Sequence, residues 1–196
     1  MSALRIAVLG DSLAAGYPTA SMSWVPVLES LYPAQYLNCA GAGARICDMP
    51  GQLPQEKQDL LLLPASVNDC WKASSAGAPD LSMRLRLEYW RRLHEVAGRF
   101  ADKILVFGAL PVNETLLPCQ SWSDKPIYAS NEEIATYNRM VRLVAEEYQR
   151  PFFDPYPLFA AEELAAVYSD ACHLRPQGRD KYARFVFETF KNIIFF

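Results

Sequence analysis

The strongest constraint on the fold is an alternation of short apolar runs with longer stretches of helical pattern. Three of the short runs are almost continuously apolar, which is typical of strands buried on both faces of a parallel sheet. The strand candidates are Arg5–Leu9, Gln35–Asn38, Leu60–Leu63, Ile104–Phe107 and Phe152–Phe153.

Helix candidates lie between and after these runs. They are Trp24–Leu31, Ser82–Phe100, Ser130–Gln149 and Gln177–Lys191. The third begins with Ser130 followed three residues later by Glu133, a spacing that caps helix N-termini. Alternating strands and helices predict an α/β fold of three layers, with right-handed crossovers between parallel strands.

Composition excludes several classes of protein. A length of 196 residues favours a single domain, expected over residues 1–196, with one sizeable core. A net charge of −3 argues against a nucleic-acid partner. No apolar run approaches the roughly 18 residues that a membrane-spanning helix needs. Arg5 interrupts the apolar start of the chain, which is unlike a signal peptide.

The cysteines bear on location and on metal binding. There are five, an odd number, and they are scattered without a short repeated spacing. This pattern argues against a disulfide framework and against a zinc site. Reduced thiols in a cytoplasmic protein are the expected state, and no metal or other cofactor is expected.

Two segments at opposite ends of the chain could supply a nucleophile and its base. Gly10-Asp11-Ser12-Leu13 places a serine just after the first apolar run, and Asp170-Ala171-Cys172-His173 places a carboxylate three residues before a histidine. Serine becomes a good nucleophile when a histidine removes its proton and a carboxylate orients that histidine. Each segment alone could equally be a turn, with Asp11 or Ser12 capping the next element.

Two further segments follow strand candidates on the same predicted edge, where open α/β sheets bind ligands. They are Asn38-Cys39-Ala40-Gly41-Ala42-Gly43 and Ser66-Val67-Asn68-Asp69. Acyl transfer needs hydrogen-bond donors aimed at the developing oxyanion, and a glycine N–H or an asparagine amide can supply them. A tight turn at Gly43 and an Asx-turn at Asn68 are the alternatives.

Taken in chain order, the four segments resemble the sequence blocks of the GDSL/SGNH hydrolase family. The resemblance implies a flavodoxin-like sheet of five parallel strands in the order 2-1-3-4-5. It also implies hydrolysis of an ester through a covalent acyl-serine. On the matching positions it assigns Ser12 as nucleophile, with Asp170 and His173 completing the triad. The oxyanion donors would be the backbone N–H groups of Ser12 and Gly43 and the side chain of Asn68.

Two positions depart from the family pattern. Ala40 stands where many members have another small residue. The third block usually begins with glycine, whereas this chain has Ser66. If the backbone at that position needs a positive φ, a serine would be strained there and the orientation of Asn68 would change.

The expected substrate is a small or medium carboxylic ester, such as a short acyl ester or an acetylated sugar. Substrate contacts are expected from Asp11, Trp71, Leu110 and Pro111. The same triad would serve an acyltransferase that uses another alcohol in place of water. A non-catalytic binding module on the same fold is the third interpretation.

Two predictions concern residues outside the motifs. His94, the other histidine, is expected on the solvated face of its helix, beside Arg91 and Arg92. The segment Leu158–Tyr168 is apolar enough to form a short helix that covers the site. The oligomeric state does not follow from the sequence.

Overall fold

A computed structural model describes residues 3–120, 124–160 and 164–194 of the chain. At its centre, five parallel strands form one sheet in the order β2-β1-β3-β4-β5. The strands are β1 (Arg5–Val8), β2 (Gln35–Asn38), β3 (Gln58–Pro64), β4 (Ala101–Phe107) and β5 (Phe152–Phe153). This order confirms the predicted flavodoxin-like sheet. Strands β3 and β4 begin earlier than predicted, because their first residues include polar ones, such as Asp59 and Asp102, which interrupt the apolar pattern used to predict the strands.

The helices occupy the connections between strands. They are α1 (Ser12–Ala15), α2 (Val25–Leu31), α3 (Met83–Ala97), α4 (Asn131–Glu147), α5 (Tyr156–Ala160), α6 (Leu164–Val167) and α7 (Pro176–Ile194). Ser82 and Ser130 cap α3 and α4 by accepting backbone N–H groups with their hydroxyl oxygens. Helix α3 ends at Ala97, before the predicted Phe100, and the chain then turns through Gly98 into β4.

Both faces of the sheet are covered, which confirms the three-layer arrangement. In β1, Ile6 and Val8 pack into the core beneath α2 and α7, whereas Ala7 packs into the core beneath α3 and α4. The same alternation runs through β3, where Leu61 is fully buried. Burying one such side chain stabilises the fold by about 1.5–3 kcal/mol. The apolar runs are continuous because each strand needs apolar residues on both of its faces.

His94 is buried, so its predicted exposure on a helix face was wrong. Its side chain is 2% exposed and its ring stacks on that of Tyr148, with centroids 5.1 Å apart. The charged neighbours Arg91 and Arg92 suggested that His94 would be exposed. His94, however, lies one turn after Trp90 and is on the same buried face of the helix. Packing of α3 against α4 then encloses the ring.

The described residues of Leu158–Tyr168 lie in α5, in α6 and directly after it, and the cover over the site stays a prediction. Residues 161–163 lie outside the described ranges. Phe159, Val167 and Tyr168 are buried in the core beneath α2 and α7, and the Tyr168 hydroxyl donates a hydrogen bond to the carbonyl of Pro111 at 2.5 Å. In the described part of the chain, no helix has both the length and the apolar character needed to cross a membrane.

Candidate active site

The site begins at the sharp turn that follows β1. Gly10 has a φ of +133°, and a Cβ placed there would lie 2.9 Å from the Pro64 side chain, so only glycine fits. Gln52 holds this turn through two hydrogen bonds of 2.9 Å, donating to the Gly10 carbonyl and accepting its N–H. The chain then enters α1 at Ser12, with the Asp11 carboxylate capping the Leu13 N–H. The turn therefore fixes the position of the serine.

Ser12, His173 and Asp170 form one hydrogen-bonded chain, although the serine and the histidine lie 161 positions apart. The Ser12 Oγ lies 3.0 Å from His173 Nε2, and His173 Nδ1 lies 2.7 Å from Asp170 Oδ2. With the proton on Nδ1, the Nε2 lone pair faces the serine hydroxyl. Both Ser12 and His173 are buried apart from the side facing the cleft.

The loop that carries His173 is organised by Asp170 itself. Asp170 Oδ1 accepts the backbone N–H groups of Cys172 and His173, at 2.9 and 2.8 Å. Partial burial disfavours its charged form, but the hydrogen bonds from His173 and the two backbone groups outweigh burial and lower the pKa of the carboxyl. Asp170 is therefore a carboxylate at neutral pH, and the Asp-x-x-His spacing places it against the imidazole.

Gly43 and Asn68 reach the same place from the ends of β2 and β3. Gly43 has a φ of +74° and open space where a Cβ would lie, so the backbone conformation rather than crowding favours glycine. The Asn68 amide is fixed at both ends: its Oδ1 accepts the Trp71 indole N–H at 2.8 Å, and its Nδ2 donates to the Ala44 carbonyl at 3.0 Å. The second Nδ2 proton is left for another acceptor.

These groups line one cleft of about 220 Å³. The lining residues are Ser12, Tyr17, Ala42, Gly43, Asn68, Cys172 and His173. An adjoining groove of about 360 Å³ shares Gly43 and Asn68 with the cleft and continues past Arg45, Trp71 and Lys72. The site thus has two compartments that meet at Gly43 and Asn68.

The residues predicted to contact substrate divide into two groups. Asp11, Leu110 and Pro111 line a smaller cavity of about 10 Å³ and are not among the residues that line the cleft. Their position gives no support to a direct contact with substrate. Trp71 lies in the wall of the adjoining groove, yet it is buried and its indole is directed at Asn68.

Ser66 is not strained, which corrects the expectation attached to the missing glycine. Its φ is −100° and its ψ is 137°, an extended conformation that any residue adopts. Its hydroxyl caps the short 3₁₀ turn Val67–Cys70 that carries Asn68. Asn68 is therefore held in place with serine at this position.

Sequence reasoning assigned no role to Asp69, and it expected Tyr17 only as one of several aromatic residues in the loops around the substrate. The Tyr17 ring lies 4.7 Å from that of His173 and lines the cleft. The Asp69 carboxylate is buried and accepts the Ile46 N–H at 3.0 Å and the Tyr137 hydroxyl at 2.6 Å. Burial raises the pKa of Asp69 to about 6. Adjacency to the motifs, Tyr17 after Gly16 and Asp69 after Asn68, was the available signal.

One cluster among the described residues has the side chains that bind metals. Donor atoms of Asp170, Cys172 and His173 lie within 4.8 Å of one another. The carboxylate and Nδ1 are already paired, and burial raises the pKa of the Cys172 thiol well above its usual value, which keeps it protonated. The hydrogen bond between the carboxylate and the imidazole already accounts for the closeness of two of these three side chains.

Three solved structures have the same fold. The acetylxylan esterase Axe2 from Geobacillus stearothermophilus has a TM-score of 0.70 at 18% identity, covering 95% of this chain and 94% of that chain. A lipase/acylhydrolase from Enterococcus faecalis has a TM-score of 0.75 at 15% identity and 96% coverage of both chains. A G-D-S-L family lipolytic protein from Veillonella parvula has a TM-score of 0.73 at 16% identity, covering 96% of this chain and 99% of that chain.

The chain is similar in sequence to a family model but to no individual curated protein. No curated protein matches the chain significantly in sequence. A family model described as the GDSL-like Lipase/Acylhydrolase family matches residues 8–181, which include all four motifs. The chain therefore belongs to the GDSL-like lipase/acylhydrolase family, the class of serine ester hydrolases that its motifs predicted.

Proposed function

We propose that this protein hydrolyses a small or medium carboxylic ester, with Ser12 as nucleophile, His173 as general base and Asp170 as its orienting carboxylate. The observation that carries the proposal is the hydrogen-bonded chain from Ser12 Oγ through both imidazole nitrogens to Asp170 Oδ2, with distances of 3.0 and 2.7 Å. Such a chain lets the imidazole accept a proton on one nitrogen while the carboxylate stabilises the resulting charge on the other.

The first step forms the acyl-serine. His173 Nε2 takes the hydroxyl proton as Ser12 Oγ attacks the carbonyl carbon, and the carbonyl oxygen becomes an oxyanion. The N–H groups of Ser12 and Gly43 and the Asn68 amide donate to that oxyanion. Each donor of this kind is worth about 10²–10³ in kcat.

The second step releases the products. The imidazolium returns its proton to the alcohol oxygen as the C–O bond breaks, which leaves the acyl group on Ser12. Water then takes the place of the alcohol, loses a proton to His173, and attacks the acyl carbonyl. The acid leaves and the serine regains its proton, so no other reactant is consumed.

The two compartments support an ester with a short acyl group on a larger alcohol, such as an acetylated sugar. The cleft beside Ser12 has a volume of about 220 Å³, and Tyr17 and Cys172 form part of its wall. The adjoining groove has room for a larger group, about 360 Å³, and an aromatic wall at Trp71. The similarity of the fold to that of an acetylxylan esterase is consistent with this substrate class.

Acyl transfer is the second candidate, because the adjoining groove could hold an acceptor alcohol next to the acyl-serine. Transfer and hydrolysis differ in whether water or that alcohol reaches the intermediate. Product analysis with added sugar or glycerol distinguishes them: a new ester indicates transfer, and free acid alone indicates hydrolysis.

The experiment that tests the proposal is the substitution Ser12→Ala, measured with a panel of aryl esters of increasing acyl length and with acetylated xylose. We expect the wild type to favour acetyl and propionyl esters and the variant to lose turnover by several powers of ten. Reaction with a fluorophosphonate should block the wild type at one site and leave Ser12→Ala unmodified. Unchanged hydrolysis by the variant would refute the assignment, and an unreactive wild type would favour a binding module.

Two further properties extend the proposal. We infer one catalytic domain over residues 1–196, since the family match spans residues 8–181 and the five strands form one sheet. The substrate is a small molecule, and no nucleic-acid partner is proposed. Cytoplasmic location stays a prediction from cysteine usage, to be tested by fractionation.

A further inference from the structure

We propose that Ser66 is a positioning residue that couples Asp11, beside the nucleophile, to Asn68, the oxyanion donor. The inference rests on the proposed function, because it concerns how the serine and the oxyanion donor are held in register. It gives a role to the motif position at which this chain has serine where its family usually has glycine.

The coupling consists of two hydrogen bonds through a single buried hydroxyl. Ser66 is fully buried, and its Oγ donates to Asp11 Oδ2 at 2.5 Å. The same Oγ accepts the backbone N–H of Asn68 at 3.0 Å. The other oxygen of Asp11 accepts the Leu13 N–H at 2.9 Å. One carboxylate and one hydroxyl therefore join the turn after β1 to the turn after β3.

The direction of these bonds follows from the donors present. Because Ser66 Oγ accepts from a backbone N–H, its own proton must find another acceptor, and Asp11 supplies one. Asp11 is itself buried, and burial raises its pKa. The bonds from Ser66 and Leu13 and the nearby His173 favour the carboxylate form. Removing the hydroxyl would leave a buried carboxylate oxygen and a buried N–H without these partners, which is costly.

Asn68 depends on this support because the turn that carries it is short. The 3₁₀ turn Val67–Cys70 has four residues, so its first N–H groups lack helical partners. Trp71 and Ala44 fix the amide of Asn68, and among the described residues only Ser66 links the Asn68 backbone to the nucleophile turn by hydrogen bonds. A displacement of the backbone would move the amide away from the oxyanion, and errors of about 1 Å in such positions cost up to 10²-fold in rate.

Glycine, the usual family residue here, could adopt this conformation but could not form the link. The extended backbone at Ser66 does not require glycine, so the hydroxyl adds a contact at no conformational cost. Ser66→Gly is therefore the sharpest substitution, because it restores the family residue and removes only the hydroxymethyl group. Ser66→Ala leaves the Cβ and serves as the second variant.

The test is a double-mutant cycle between position 66 and position 68. Both Ser66 variants should lower kcat about tenfold with KM changed less than twofold, since the loss falls on the transition state. In an Asn68→Ala background the same changes should lower kcat less than twofold, because the donor that Ser66 positions is gone. Ser130→Ala, which removes the cap of α4 but no residue that lines the cleft or the groove, is the matched control and should leave kcat unchanged.

Asp11→Asn provides an independent route if the Ser66 variants fold poorly, which thermal unfolding would reveal. The amide keeps the volume of Asp11, and its loss in kcat should likewise shrink in the Asn68→Ala background. Equal losses in both backgrounds, or an unchanged kcat in a Ser66 variant of an active wild type, would overturn the inference alone. A wild type that hydrolyses no ester would overturn the proposed function and this inference with it.

Discussion

The two histidines of the chain are both buried, yet their surroundings are opposite. His173 has a serine hydroxyl at Nε2 and a carboxylate at Nδ1. His94 has no hydrogen-bond partner at either ring nitrogen among the described residues. Burial and the charge of Arg150 lower the pKa of His94 to about 4, so it stays neutral at physiological pH. Burial and a nearby cation keep His94 neutral, whereas the partners on both nitrogens of His173 place it between a hydroxyl and a carboxylate, as the proposed role of a general base requires.

The largest effect on activity should come from replacing His173, with the same substitution at His94 as its control. His173→Gln removes the base, and we expect kcat to fall by about 10⁴–10⁶-fold. His94→Gln, the matched control, should change kcat less than twofold, because His94 lines neither the cleft nor the adjoining groove. Steady-state hydrolysis of an aryl acetate measures both. Comparable losses in the two variants would erase the distinction between the histidines.

A second prediction removes only the partner of His173. In Asp170→Asn the side-chain oxygen would keep accepting the backbone N–H groups of the loop. The side-chain amide of the asparagine would then face Nδ1 of His173 with an N–H group. The imidazole must then carry its proton on Nε2, the wrong side for a base, and kcat should fall by about 10³–10⁴-fold. The thermal midpoint should change little. A rate within tenfold of the wild type would mean that Asp170 does not set the tautomer.

The smallest effect on activity, with a distinct effect on stability, is expected from His94→Phe. Between pH 6.5 and 4 the unfolded chain binds a proton at His94 that the folded protein does not, so this residue lowers the free energy of unfolding as pH falls. The variant lacks this loss. The free energy of unfolding of the variant relative to the wild type should therefore rise by about 3 kcal/mol as the pH falls from 6.5 to 4.

Urea unfolding of both proteins at several pH values measures this difference, from which the other titrating groups largely cancel. Ser12→Ala serves as the control, and its free energy of unfolding should depend on pH as that of the wild type does. A stability difference between His94→Phe and the wild type that does not vary with pH would show that His94 is protonated equally in both states.

The fold was predictable because the sheet is buried on both faces and its strands are therefore short apolar runs. Strand β2 was found within the same bounds, Gln35–Asn38, and α4 within two residues at each end. The burial of His94 was not predictable from its charged neighbours, because it depends on α4 and Tyr148 closing over α3. Spacing did carry a signal, since His94 falls four residues after Trp90.

The site was predictable in its residue types but not in its connections. Motif order indicated that Ser12, Gly43, Asn68 and His173 would meet at one edge of the sheet. Nothing in the spacing predicted that Trp71 would be directed at the Asn68 amide, or that Ser66 would bridge to Asp11. These contacts join loops from different strands, so they depend on how the loops pack in three dimensions.

The central claim is that the acyl group of the substrate is carried on Ser12. Its most direct test is rapid acid quenching of the protein during turnover of an aryl acetate, followed by peptide mass spectrometry. We predict one acetyl group on the peptide that contains Ser12 and none on that peptide in Ser12→Ala. Acetylation of a different side chain during turnover, with Ser12 unmodified, would contradict the account.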